Sequence, residues 1–258
     1  MRVFAVVNMK GGVGKTTTAV HLAAGWAAAG RRVLLVDADP QGNVGHVLAL
    51  KPMATIREVM LGEVSAADAI VHGVRPGLDV IASAPSAFAL DSQLAGAVQR
   101  ETILARRLAG LAGYDDVVID TSPSMSLLAY NALLCSTALV VPVGMDPLAV
   151  VGARQTLDGV AEIRSLWPDR RIGLAAVVPT SVNLQTHATR AALEALDADV
   201  EIAPRLFRAG LRQCIDLTYA AAAHQTIWEY APRSRAAEDY GALLRFIDGE
   251  GQTTPAVL

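Results

Sequence analysis

Apolar and polar positions along this chain sort into two alternating patterns. The first is a set of short, nearly unbroken apolar runs: "RVFAVVN" (2–8), "RVLLVDAD" (32–39), "LDVIAS" (78–83), "DDVVIDTSP" (115–123), "ALVVPV" (138–143) and "IGLAAVVPT" (172–180). Runs of this length, rich in Val, Ile and Leu, predict strands buried on both faces. The second pattern is longer and helical. "TTTAVHLAAGWAAAG" (16–30) is rich in alanine, sets Val20, Leu22 and Trp26 near one face and meets a stop at Gly30. Further helices are expected near 92–112, 148–166 and 186–197. Strands separated by helices predict an α/β fold with a mostly parallel central sheet flanked by helices. No long polar linker, repeat or low-complexity segment divides the chain. Residues 1–258 are therefore expected to form a single domain, with a flexible tail over about 249–258.

Composition narrows the class. With 52% hydrophobic and 18% charged residues the chain can bury a large core. No run of about 18 uncharged apolar residues offers a membrane span. The start "MRVFAVVNMKGG" has too short an apolar run for a signal peptide, so a cytoplasmic location is expected. Cys135 and Cys214 stand apart without a C-x-x-C partner, and His21, His46, His72, His187 and His224 show no ligand spacing. All are read as ordinary core or surface residues. The net charge of -3 does not point to a broadly basic nucleic-acid binder, but it leaves room for a local patch.

Chemistry concentrates where the first strand meets the first helix. "VVNMKGGVGKTTTAV" (6–20) nearly matches the phosphate-binding loop G-x-x-x-x-G-K-[ST]. Gly14, Lys15 and Thr16 fit, yet Met9 stands where the first glycine belongs, and a second lysine, Lys10, follows it. Gly11, Gly12 and Gly14 allow the backbone to approach an anion. The successive amides there, through Val13 to Thr16 and Thr17, face it at a helix N-terminus. Lys15 would meet the outer phosphates and Thr16 would ligate Mg²⁺. Only three of the 22 basic residues are lysines, and two of them are in this loop. A compact ammonium suits a place between phosphate oxygens.

Two aspartates complete the set. Asp120 ends the apolar run "VVID", the position of an acid that orients Mg²⁺ through a water. Asp39 follows a strand end and precedes Pro40, where it could position an attacking water; turn chemistry before the proline is the alternative for Asp39 and Asp37 alike.

"KGGVGKTT" (10–17), "LLVDADPQGN" (34–43), "VVIDTSPS" (117–124) and "EYAPRSRAAEDY" (229–240) resemble the ParA branch of the deviant Walker-A ATPases, whose relatives include MinD and the nitrogenase iron protein. The resemblance covers nearly the whole chain. It implies a P-loop NTPase that hydrolyses ATP with Mg²⁺, forms a homodimer on ATP, binds DNA nonspecifically and moves a plasmid, a chromosome origin or a large protein assembly. A ParB-like adaptor would stimulate hydrolysis, and the protein would be nucleoid-associated. It also implies that Lys10 reaches across the dimer to the partner's nucleotide, and that Thr180 and Pro204 lie near adenine.

"PRLFRAGLRQ" places Arg205, Arg208 and Arg212 on one face if it is helical, and Arg233 and Arg235 stand in "PRSR". The stretch "RFIDGEGQTTPAVL" carries two acids, two glycines and a proline where the basic amphipathic helix of MinD-type relatives would have to lie, so no membrane partner is expected. No N-terminal helix-turn-helix extension is expected. "DTSPS" lacks the double proline common in the family, and Asn183 stands where relatives often carry an acid. The alternatives are a MinD-like or other deviant Walker-A ATPase with a non-DNA role, a redox ATPase with a cysteine-held cluster, and a small-molecule P-loop enzyme.

Overall fold

The computed structural model describes residues 1–146 and 148–249, so from residue 250 onward the expected tail lies outside the described residues. Seven strands form one sheet: β1 (Arg2–Val6), β2 (Val33–Ala38), β3 (Ile70–Arg75), β4 (Leu78–Ile81), β5 (Asp116–Thr121), β6 (Ala138–Gly144) and β7 (Gly173–Thr180). Their order is β3-β4-β2-β5-β1-β6-β7, with only the β3–β4 pair antiparallel. The helices are α1 (Lys15–Ala28), α2 (Asn43–Val47), α3 (Ile56–Leu61), α4 (Leu90–Gln93), α5 (Ile103–Leu108), α6 (Leu127–Cys135), α7 (Ala149–Leu166), α8 (His187–Ala198), α9 (Asp216–Ala222), α10 (Ile227–Tyr230) and α11 (Arg235–Asp248).

The six apolar runs all became strands, and β2 and β5 are buried at every position. Separate apolar clusters fill the two faces. Val6 and Leu35 are buried with Leu22 and Trp26 of α1 and Leu243 of α11, whereas Leu34, Val36 and Ile119 cluster with Val59 of α3, Leu104 of α5 and Leu128 of α6. Burying a side chain the size of Leu22 or Trp26 stabilises the fold by about 1.5–3 kcal/mol. Gly25 lets α1 and α11 touch, because a Cβ there would lie 2.4 Å from Leu244 Cδ1.

Two sequence expectations fail. No continuous helix spans 92–112: α4 ends at Gln93, Gln99 turns left-handed at φ 52° and α5 starts afresh at Ile103. The second helix starts where it does because a neighbour satisfies its first amides. Leu104 N–H donates to Asn131 Oδ1 of α6 at 2.9 Å. The second failure is at 205–212. Only a single 3₁₀ turn, Ala203–Arg205, forms there. The chain then runs beside β7, with Phe207 N–H donating to Val177 O (2.9 Å) and Leu211 N–H to Pro179 O (2.7 Å). The open edge of β7 offers the backbone partners that a helix would otherwise have supplied.

Candidate nucleotide site

The C-terminal ends of β1, β2, β5 and β6 converge on the loop 7–14. In register, Asp120 of β5 lies opposite both Val6 of β1 and Asp37 of β2. The base of the loop is held by Asn8, which is fully buried. Its Nδ2 donates to Pro142 O at 2.7 Å and its Oδ1 accepts from Lys10 N–H at 2.8 Å. Gly12 (φ 75°) and Gly14 (φ 85°) then take left-handed backbone that other residues adopt only under strain. Gly14 begins α1 with no side-chain cap, leaving the helix amides to face an anion. The would-be Cβ atoms of Gly11 and Gly12 point into open space. Thr180 Oγ1 donates to Val13 O at 3.0 Å and braces the far side of the loop from β7.

Lys15 is buried, and its Nζ donates to Lys10 O at 2.9 Å. Burial lowers its pKa, opposed by the charges of Asp120 and Asp39. Lys10 turns the other way. Its side chain is 33% exposed, and its ammonium pairs with Asp146, on the loop after β6. Around it Met9, Leu148 and Val151 are exposed apolar residues.

The three carboxylates differ sharply. Asp37 is spent on its own turn, accepting from Asp39 N–H (3.0 Å) and Val44 N–H (3.2 Å), and burial together with Asp120 raises its pKa. Asp39 is almost fully buried and accepts from Gln41 N–H at 2.9 Å. Asp120 is fully buried, and among the described residues no donor meets hydrogen-bond geometry at either of its oxygens. Burial pushes its pKa up to about 7, against the pull of the nearby Thr16 hydroxyl and Lys15 ammonium. A buried carboxylate with unsatisfied oxygens, next to a threonine hydroxyl at a phosphate loop, is a donor set that fits the hard cation Mg²⁺.

The loop residues and the two aspartates are thus brought together as expected. The arginines are not. Arg212 is tied within the chain, its Nε at 2.9 Å and its Nη2 at 2.6 Å from Asp239 Oδ1 and its Nη2 at 2.7 Å from Glu238. Arg208 pairs with Asp197 at 2.6 Å. Arg205 is half-buried, and Arg233 and Arg235 are exposed before and at the start of α11. Pro204 is exposed in the 3₁₀ turn. Sequence reasoning missed Asn8 and Asp146. Both stand just past a strand's C-terminal end, where ligand sites of open α/β sheets gather, and that position was their only signal.

This is the loop-and-carboxylate arrangement of a P-loop nucleotide-binding protein with two lysines in its loop. A family model described as an AAA domain matches residues 1–170. The chain is 37% identical over 187 residues to the chromosome partitioning protein ParA of Caulobacter vibrioides, covering 70% of this chain and 69% of that one. It is 34% identical to the chromosome-partitioning ATPase Soj of Thermus thermophilus, covering 94% of each. Among solved structures, cobyrinic acid a,c-diamide synthase from Mycobacterium smegmatis with bound ADP and magnesium superposes with a TM-score of 0.80 at 29% identity, covering 96% of this chain and 93% of that one. The Cyanothece McdA(D38A)–ATP complex shares the fold, with a TM-score of 0.84 at 22% identity over 98% of each chain. The chain belongs to the ParA/Soj family of partition ATPases. No helix among the described residues is long and apolar enough to cross a membrane.

Proposed function

We propose that this protein is a Mg²⁺-dependent ATPase that dimerises on ATP, binds DNA without sequence preference and partitions or positions a cargo, with hydrolysis stimulated by an adaptor protein. The observation that carries this reading is the division between the two loop lysines. Lys15 is buried inside the loop, whereas Lys10 stands at its rim among exposed Met9, Leu148 and Val151. An apolar rim around a cation beside a phosphate site suits a second subunit that brings its own phosphates.

In this mechanism the loop amides and Lys15 bind the ATP phosphates, and Asp39 orients the attacking water. Thr16 and Asp120 would hold Mg²⁺. The metal, when bound, neutralises charge on the phosphate oxygens. Lys10 acts on the partner's nucleotide as an arginine finger does, a device worth about 10³–10⁵ in rate. Thr180 and Pro204 flank the adenine. Arg205, Arg208, Arg233 and Arg235 supply DNA contacts, and Arg212 serves the fold first. The location is cytoplasmic and nucleoid-associated, and the one-domain organisation leaves cargo choice to the adaptor.

The deciding experiment is size-exclusion chromatography with and without ATP and Mg²⁺, paired with gel shift of arbitrary duplex DNA. A dimer that forms only with ATP and shifts DNA only as a dimer supports the reading; a monomer in ATP overturns it. The match to the mycobacterial enzyme favours one second reading, a small-molecule enzyme. ATP turnover stimulated by a corrinoid acid and not by DNA would carry that reading instead.

A further inference from the structure

The opposite pole of the sheet holds a second cavity, of about 970 Å³. It opens where β6 and β7 begin, between the C-terminal end of α7, the segment 168–172 and the last turn of α11. None of the phosphate-loop residues lines it. Its floor is apolar, built from Phe4, Ala138, Ile172, Leu174, Phe246 and Ile247. A smaller cleft of about 270 Å³ shares Ala161, Arg164, Ile172, Gly173 and Leu174 with it and adds Leu139, Leu157, Val160 and one acid, Glu201, whose carboxylate is paired with Arg154. The two share a wall, and the larger is of the size that takes a small molecule.

The polar lining has one sign. Arg2, Arg164, Arg170, Arg171 and Arg205 face the cavity, and Asp248 is the one acid among its lining residues. That acid is engaged: it pairs with Arg2 (2.7 Å) and Arg31 (3.2 Å) and accepts from Trp26 Nε1 at 3.0 Å. Arg2 is held a second time by buried Asp116 at 2.7 Å. Arg164, Arg170 and Arg171 take part in none of the side-chain hydrogen bonds or ion pairs among the described residues. Arg164 is half-buried and lines both hollows, whereas Arg170 and Arg171 are exposed. A guanidinium beside apolar walls is a ready partner for a carboxylate or other oxyanion, and the walls exclude the water that would screen it.

We propose that this cavity binds a small amphiphilic anion: an oxyanion head held by Arg164, Arg170 and Arg171, and an apolar body lying along Ile172 and Leu174 into the adjoining cleft. The concave shape suits a free molecule rather than a bilayer surface. The site is separate from the nucleotide loop, and it does not depend on the partition reading.

The probe is 8-anilinonaphthalene-1-sulfonate, an aromatic body with a sulfonate head, followed by its fluorescence on the full chain. Saturable one-to-one binding is expected, displaced by dodecanoate below its micelle concentration and not by ATP with Mg²⁺. Dodecanol, with the same chain and no charge, should compete at least about tenfold less well. Arg164→Glu combined with Arg171→Glu should weaken the probe about tenfold or more. Arg170→Glu alone provides a second test should the double variant fail to fold, which circular dichroism will show. Displacement by ATP, equal competition by dodecanol, or unchanged binding in the folded variants each overturns the proposal.

Discussion

The Lys10 ammonium lies 2.5 Å from an Asp146 carboxylate oxygen, across 136 positions of sequence. The aspartate is itself steadied, its other oxygen accepting from Leu148 N–H at 2.9 Å, and Lys10 holds its pKa below the usual carboxylate range. Within one subunit, then, the rim lysine has a carboxylate partner. If Lys10 serves the nucleotide of a second subunit, it must exchange that carboxylate for phosphates.

Lys10→Ala is expected to bind ATP as wild type does, through Lys15 and the loop amides, while losing the ATP-dependent dimer and DNA binding with it. Asp146→Asn keeps the Leu148 contact and releases the lysine. An exposed pair is worth about 0.2–1 kcal/mol and each of the two subunits breaks one, so dimerisation should need up to about thirtyfold less protein. Nucleotide affinity and sedimentation on the same samples check both; a Lys10→Ala protein that dimerises normally in ATP rules out the trans role.

Lys15→Ala should abolish ATP binding, because it removes the buried cation beside Asp120 and Asp39 that is proposed to meet the phosphates. Titration with a fluorescent ATP analogue and Mg²⁺ measures this. An affinity within twofold of wild type would falsify the loop assignment.

Asp39→Ala should bind ATP and accumulate as the dimer while turnover drops by a factor of about 10² or more, the loss expected when an attacking water is no longer oriented. Phosphate release read beside chromatography in ATP separates the two effects. Normal turnover contradicts the role.

Arg233→Glu with Arg235→Glu should remove DNA binding and spare ATP-dependent dimerisation, since both side chains are exposed at the start of α11. Arg212→Ala should act differently. It strips the buried Asp239 carboxylate of its side-chain partner and is expected to cost about 1–3 kcal/mol of stability. Gel shifts across a salt series and urea melts tell the two apart; equal stability of Arg212→Ala and wild type would return that arginine to the DNA surface.

His21 gives a pH signature. It is fully buried in α1, its Nδ1–H donating to Thr17 O (2.7 Å) and its Nε2 accepting from Ile227 N–H (3.0 Å), with Tyr240 stacked 4.8 Å away. Both nitrogens are used by the neutral ring, and burial lowers the pKa to about 4. For a base depressed on folding, stability is complete above the unfolded value near 6.5 and falls as pH drops toward 4. Asp120, raised by burial, contributes in the opposite sense, so the comparison must be with His21→Gln. Between pH 7.5 and 5, wild type should lose about 2 kcal/mol more than the variant in urea titrations. Parallel pH curves for the two proteins would contradict this.

What could be read from sequence rests on local regularity. Period-free apolar runs marked the six strands of the parallel part of the sheet, and the glycine spacing from Gly11 to Gly14 marked the phosphate loop, because each depends on near neighbours. Asp39 and Asp120 were legible for the same reason, as acids at the ends of apolar strands. Where the pattern was weak the reading stopped. The antiparallel edge strand "IVHGVR" is half solvent-facing, and α6, "LLAYNALLC", is buried nearly all round and shows no helical stripe. Other features had no local signal at all. The break in 92–112 depends on Asn131 supplying a partner to Leu104, and the extended path of 205–212 depends on the free edge of β7. The clasp of Lys10 by Asp146 and the arginine-lined cavity, which draws Arg2, Arg164, Arg171 and Arg205 to one pole, depend on the packed whole. Hydrogen-bond supply and charge pairing act through space, over separations that only the folded chain closes, whereas hydrophobic periodicity is written between adjacent residues.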